Sequence, residues 1–178
     1  QFHRLTGKPL SVNLAIGKIN WLRQFEPNTF QNTMLYADTH AYLVHCLTGQ
    51  YATALGSADP TGLFDMTTQT WATPFLETIN ITAEQLPAVY PSGHILGELT
   101  HPAAALTGLH PGLPIIAGRG DGQAAGLGTG VCQPGIAYLN MGTAVVSGVQ
   151  TTSYLTDASF RTMYSGIPHQ YFLETVLL

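Results

Sequence analysis

Charge is scarce in this chain. Only 9% of its 178 residues are Asp, Glu, Lys or Arg, against roughly 25% in an ordinary soluble domain. The six Lys and Arg are scattered and the formal net charge is −4, so there is no basic stripe of the kind that binds nucleic acid. Low charge beside an ordinary 45% of hydrophobic residues suits a surface partly covered by other protein. Cysteine is rarer still. Cys46 and Cys132 lie far apart and form no Cys-x-x-Cys, which fits free thiols in a reducing, cytoplasmic compartment better than a disulfide framework. No apolar run approaches the ~18 residues of a membrane span, and no signal peptide is visible. Several phosphate and nucleophile motifs are also missing. There is no Gly-x-x-x-x-Gly-Lys-[Ser/Thr] loop and no Gly-x-Ser-x-Gly elbow. Gly118, Gly120 and Gly122 alternate, but Gln123 stands where Gly-x-Gly-x-x-Gly needs its third glycine. The seven His residues show no metal spacing: His40 and His45 fall on different faces of a helix and the others are isolated, so no protein metal site is expected.

What is present is concentrated in residues 114–130. Pro114 to Ala117 is a short apolar run that predicts a buried strand. It stops at Gly118, Asp121 follows between Gly120 and Gly122, and Gln123 to Gly128 is a small-residue stretch suited to a closely packed helix. One carboxylate thus sits at a strand-to-helix turn, where open α/β sheets place ligand sites, and the glycines let substrate or backbone approach it. A helix-capping Asp121 is the alternative, since Asp is a favoured N-cap. Residues 134–149 predict two β runs joined at Gly142-Thr143. Turn amides and a Thr hydroxyl can together bind phosphate; the same pattern also describes an ordinary hairpin.

The rest of the chain supports an α/β reading, and 178 residues are enough for one domain with a sizeable core. Helices are predicted over 18–26, ended by Pro27, over 38–47, capped by Asp38 and closed by Thr48-Gly49, over 71–79, and over 101–107 with Pro102 in its first turn. Trp21 and Trp71 are expected to be helix core residues, with sugar stacking the alternative. A short strand is predicted over 95–99. From Ile136 onward the pattern changes to successive strands, 136–141, 144–149, about 160–166 and 170–178, which puts a domain boundary near Gln133-Pro134-Gly135. The chain begins with Gln1 rather than Met, and residues 172–178 look like the middle of a strand. Both ends are expected to be cuts through a longer protein, with the last strand left apolar and unpaired.

Together these segments resemble the FGGY family of carbohydrate kinases, and its xylulokinase-like members most closely. Lys18-Ile-Asn-Trp21-Leu22 with Glu26-Pro27 looks like the family's Lys-x-x-Trp-Leu signature, from whose fuller pattern Asn13, Ala15 and Phe25 depart. Asp38 to Thr53, with Tyr42-Leu43 and Leu47-Thr48-Gly49, resembles its Asp-Tyr-Leu…Leu-Thr-Gly-Glu…Ala-Thr segment. Ser57 to Asp65 resembles its Asp-Ala-Ser-Gly…Phe-Asp segment. The best match is Ala117-Gly-Arg-Gly-Asp121-Gly followed by Leu-Asn-Met-Gly142-Thr143. The resemblance implies a ribonuclease H-like, actin-like ATPase fold, present as an internal fragment: the later part of the N-terminal sugar-binding domain over 1–132 and the opening strands of the C-terminal nucleotide-binding domain over 133–178.

The same resemblance implies ATP and Mg²⁺ as cofactors and a small sugar or polyol as substrate. Asp121 is then the catalytic base and, with Gly122, contacts substrate, while Gly142 and Thr143 hold nucleotide phosphate. A ketopentose such as xylulose is the first expectation. Gly122 stands where xylulokinases usually have Asn, and Gln123-Ala-Ala is reminiscent of glycerol kinases, so another sugar or polyol is the second. A non-catalytic sugar-binding or regulatory relative is the alternative from another class. The full-length protein is expected to be cytoplasmic, with a homodimer as its candidate assembly, and without nucleic-acid or membrane partners.

Overall fold

Apolar residues at helical spacing, with breakers between them, make the N-terminal quarter helical. The computed structural model describes residues 1–142 and 144–177. Helix α1 (Phe2–Thr6) closes on Gly7 in the left-handed conformation, φ 71°. Helix α2 (Ala15–Phe25) stops at Glu26, and Pro27 opens α3 (Pro27–Asn32). Proline lacks an N–H and is tolerated in a first turn, so Pro27 follows one helix and begins the next. Helix α4 (Thr39–Thr48) is capped by Asp38, whose carboxylate accepts the Ala41 N–H at 2.6 Å, and it ends at Gly49, φ 78°. The predicted ends at Pro27 and Gly49 hold. The short α1 and α3, of five and six residues, carry too few turns to show a period.

Beyond α4 the elements are brief. They are β1 (Ala52–Ala54), α5 (Leu55–Ala58), a 3-10 turn over Asp59–Thr61, the ribbon β2 (Phe64–Asp65) and β3 (Thr70–Trp71), α6 (Thr73–Thr78), β4 (Ala88–Tyr90), β5 (Ile95–Glu98), α7 (His101–Thr107), β6 (Pro114–Ile116) and α8 (Asp121–Gly128). β1 pairs parallel with β4, and β5 antiparallel with β6. One core gathers Ile19, Leu63, Leu76 and Ile79; another packs Val44 against Ala52, Ala54, Leu96 and Ala117.

Three local expectations do not hold in the fold. The helix predicted over 71–79 starts at Thr73, with Pro74 in its first turn. Trp71 lies instead in β3, edge-on to Phe64 at 5.5 Å, and donates its indole N–H to the Pro87 carbonyl at 3.0 Å. Trp21 is not core: Ile19 is buried, and two residues on, about 200° around the helix, Trp21 is 52% exposed and stacked on Phe25. The run 114–117 is not a buried strand. β6 belongs to a two-stranded ribbon that leaves Ile116 48% exposed and buries Ala117 just beyond it.

The last quarter of the chain forms one antiparallel sheet from β7 (Ala137–Met141), β8 (Val145–Thr151), β9 (Arg161–Tyr164) and β10 (Tyr171–Leu177), in the order β7-β8-β10-β9. The last strand is therefore not an unpaired edge. β10 pairs with β8 from Tyr171 through Leu177 and with β9 from Tyr171 through Glu174. The hairpin 161–174 inserts its second strand between β9 and β8, a topology that strand periodicity does not reveal.

This sheet is tied to the chain's beginning. The Thr162 N–H donates to the Gly7 carbonyl at 2.7 Å, and a Cβ on Gly7 would stand 2.6 Å from the Thr162 oxygen, so only glycine fits there. Lys8, almost fully buried, pairs with the buried Asp59, whose second oxygen accepts the Tyr164 N–H at 2.8 Å. Tyr154 donates to the Arg4 carbonyl at 3.0 Å.

Candidate active site

Asp121 stands where β6 gives way to α8. The turn is held at its entry by the Ala117 N–H donating to the His94 carbonyl at 2.7 Å and by Ser92 donating to the Gly118 carbonyl at 3.0 Å. Between the glycines, the Arg119 guanidinium donates to the Ser165 carbonyl at 3.1 Å, fastening the turn to the β9–β10 connection. Gly120, in extended conformation, is the N-cap, and Asp121 is the first helical residue. The capping alternative is thus answered in part: Asp121 is not the cap, but its Oδ1 accepts the Gly122 N–H at 2.8 Å, one of the donors a helix start leaves unmade. The residue is exposed, and its Oδ2 makes no hydrogen bond among the described residues.

Small residues let α8 lie directly on the sheet. A Cβ on Gly126 would meet the Phe172 ring at 2.8 Å and Tyr138 at 3.2 Å; one on Gly122 would meet Glu174 Oε2 at 3.3 Å. Gly126 over Phe172 and Gly122 over Glu174 make the helix run against the direction of β10. Its N-terminus therefore points toward the end of β10 at Leu177, which pairs with Val145. Val145 also pairs with Met141 across the β7–β8 turn. Asp121 and the turn at Gly142 consequently share one end of the sheet, separated along the strand by roughly 10 Å at ~3.3 Å per residue. The Gly142 N–H donates to the Ala144 carbonyl at 3.1 Å, so within this turn that amide is already engaged. Thr143 lies outside the described residues.

Beneath the start of α8 is a charged group that sequence inspection missed. Glu174 is 1% exposed. Its Oε1 accepts the Arg161 Nε–H at 2.6 Å and pairs with Nη2, and its Oε2 accepts the Tyr138 hydroxyl at 2.8 Å. Burial, then the Glu174 carboxylate, pushes the Tyr138 phenol well above its ordinary range, with Asp121 contributing in the same direction; the hydroxyl stays protonated and donates. A signal was available: Glu174 shares the period-2 face of Phe172 and Val176, so it was destined for the side on which Phe172 is buried. Next to it opens a cavity of about 350 Å³, lined by Lys8, Ser11, Asn13, Arg161, Glu174 and Val176 among others.

Residues 1–128 match the N-terminal domain of the FGGY family of carbohydrate kinases. The chain belongs to that family. This FGGY chain is 30% identical over 169 residues to the autoinducer-2 kinase of Yersinia enterocolitica, covering 95% of the chain and 31% of that protein. It is 31% identical over 157 residues to the autoinducer-2 kinase of Escherichia coli K12, covering 88% and 29% respectively. It superposes on the crystal structure of xylulose kinase from Rhodospirillum rubrum with a TM-score of 0.93 at 27% identity, over 98% of this chain and 36% of that one. The chain spans about a third of the length of these relatives. Its mixed α/β structure is the matching portion of the ribonuclease H-like, actin-like ATPase fold. No helix among the described residues is long and apolar enough to cross a membrane.

Proposed function

We propose that the full-length protein containing this chain is an ATP-dependent carbohydrate kinase that transfers the γ-phosphate to a hydroxyl of a small sugar or polyol. The observation that carries this is the position of Asp121. An exposed carboxylate with one engaged oxygen begins a helix at the same sheet end as the β7–β8 turn, and the helix start rests on Glu174, which lines a cavity of sugar size. Asp121 acts as the general base, accepting the acceptor hydroxyl proton as that oxygen attacks the γ-phosphorus. Gly122, whose missing side chain would face Glu174, contacts the substrate through its backbone. The turn at Gly142-Thr143 holds phosphate oxygens through its remaining amides and the Thr143 hydroxyl. The boundary between the sugar-binding and nucleotide-binding parts falls at 132/133.

Mg²⁺ normally keeps most of its waters and takes one or two carboxylates plus substrate phosphates. Because Asp121 serves as the base, the ion would be held by the nucleotide phosphates and its own waters, and it would supply charge neutralisation for the transferring group. The acceptor is a ketopentose such as xylulose or a similarly small polyhydroxylated compound. The relatives are kinases named for xylulose and for autoinducer-2, and these two are the first substrates to test.

The experiment is ATP turnover by the full-length protein against pentuloses, autoinducer-2, hexoses and polyols. Acceptor-dependent ADP release with a phosphorylated product supports the kinase. Acceptor binding without ADP release would instead identify a non-catalytic sugar-binding relative.

A further inference from the structure

We propose that Arg161, held in place by Glu174, is an acceptor-binding residue and that the acceptor it selects is an uncharged polyhydroxylated molecule rather than a sugar acid. This rests on the kinase reading above. The cavity next to Glu174, the residue on which Gly122 rests, has three charged side chains in its lining, Lys8, Arg161 and Glu174. Lys8 has nothing left to offer a ligand. Its ammonium pairs with Asp59 and donates to the Thr6 carbonyl at 3.2 Å and the Thr162 carbonyl at 2.5 Å, which occupies all three of its protons. Glu174 is likewise committed, to Arg161 on one oxygen and to Tyr138 on the other.

Arg161 differs from both. Its side chain is 43% exposed. A guanidinium carries five N–H donors in one rigid plane. Two of them meet Glu174 Oε1, and the planar fork turns the other three away from that carboxylate, on a side chain that lines the cavity. A buried acid anchoring a half-exposed guanidinium is a preorganised donor set: the rotamer entropy of the long side chain is already spent before a ligand arrives.

The charge balance decides which ligand suits it. Lys8 cancels Asp59 and Arg161 cancels Glu174, while Asp121 adds a negative charge at the adjoining helix start. A ligand carboxylate entering here would find no uncompensated cation and, where it reaches Asp121, would meet an uncompensated carboxylate. A hydroxyl or carbonyl oxygen would find three donors polarised by a cation, and such charge-assisted bonds are stronger than neutral ones. Ser11 and Asn13 add uncharged polar groups to the lining. The volume, about 350 Å³, is at the small end of ligand sites.

The test uses the full-length protein, with neutral ketoses and polyols compared with the aldonates of matching carbon number. The wild type is expected to favour the neutral acceptor by at least ~10-fold in kcat/KM. Arg161→Met is expected to raise the acceptor KM roughly 10-fold or more while the ATP KM stays within about twofold, and Arg161→Lys to recover part of the loss. Because Arg161→Met leaves Glu174 buried without its cation, the double variant Arg161→Met/Glu174→Gln is measured beside it; it removes both charges and keeps an acceptor for Tyr138. An unshifted acceptor KM in the folded double variant overturns the proposal, and so does a preference for the aldonate. Absence of transfer to every acceptor defeats the kinase reading and this inference with it, whereas transfer with an unshifted KM defeats this inference alone.

Discussion

At the scale of single residues, two carboxylates in different settings lead to different expectations. Asp121 is exposed, so replacing it costs little folding energy and its effect should appear in the chemistry. Asp121→Asn keeps the shape and the contact with the Gly122 N–H, yet removes the proton acceptor. A positioned general base is typically worth ~10²–10⁴-fold, so kcat of the full-length protein should fall at least ~10²-fold while acceptor binding changes little; a kcat within a few-fold of wild type would leave Asp121 a purely structural role. Asp59 is the opposite case. It is fully buried, and its partner Lys8 is nearly so. Burial pushes the Asp59 carboxyl up and the Lys8 ammonium down from their ordinary values, with each partner's charge opposing the shift. Removing one partner of such a pair costs about 3–5 kcal/mol, because the other charge is stranded. Lys8→Met should therefore lose about that much in denaturant unfolding, and Lys8→Met/Asp59→Asn should recover most of it. The pH dependence has a definite sign. A carboxyl raised in the folded state destabilises above its folded pKa, so the Lys8→Met penalty should shrink as pH falls and Asp59 takes up its proton. A pH-independent penalty would mean that Asp59 is not the stranded group.

At the scale of elements, α8 shows what the sequence makes legible and what it hides. The glycines and alanines from Gly122 to Gly128 announce a helix that something approaches closely, and α8 is that helix. The approaching partner was hidden, because Phe172 and Tyr138 come from strands whose order is not written in their periodicity. The β7-β8-β10-β9 order, the interior place of β10 and the parallel β1–β4 pair all depend on contacts distant in sequence. Local signals fared better: Asp38 as a cap, Gly49 as a stop and Pro27 as a break each act within one turn. Asp121 was found through its neighbours in sequence, while Arg161 and Glu174 were missed because they lie 40 and 53 residues further along. The contrast within α8 is testable. Alanine for glycine in a helix gains about 1 kcal/mol from propensity. At Gly126 the new Cβ would stand 2.8 Å from the Phe172 ring, and overpacking of that kind costs about 1–3 kcal/mol. At Gly128 nothing lies within 4 Å. Gly126→Ala should thus be destabilising and Gly128→Ala neutral or stabilising, read as denaturation midpoints of the full-length protein. Equal shifts of the same sign would show that α8 does not rest on Phe172.

At the scale of the whole molecule, the question is what residues 1–178 do by themselves. An unpaired last strand is not the reason to expect association, since β10 is paired with β8 throughout and with β9 as far as Glu174. The reason lies in the part before that sheet. The β1–β4 and β5–β6 pairs are two-stranded, and such pairs are marginal without a further layer. Ile95, Leu106, Leu109, Leu113 and Ile116 are each at least 42% exposed, and all five lie on β5, α7, β6 or the segment joining them. A concentration of large apolar side chains of this kind marks a surface that other protein covers. In its relatives this stretch of chain is about a third of a much longer protein, which offers the covering mass. Expressed alone, residues 1–178 should therefore elute from size-exclusion chromatography as dimers or larger species and turn over no ATP with any sugar. Replacing Leu106 and Leu109, 89% and 51% exposed, with Gln should shift the elution toward monomer. A monomeric fragment that unfolds cooperatively would show that this apolar surface needs no cover. Sugar-dependent ATP turnover by the fragment would show that its own residues complete the phosphate site, and the division of labour proposed at 132/133 would have to be given up.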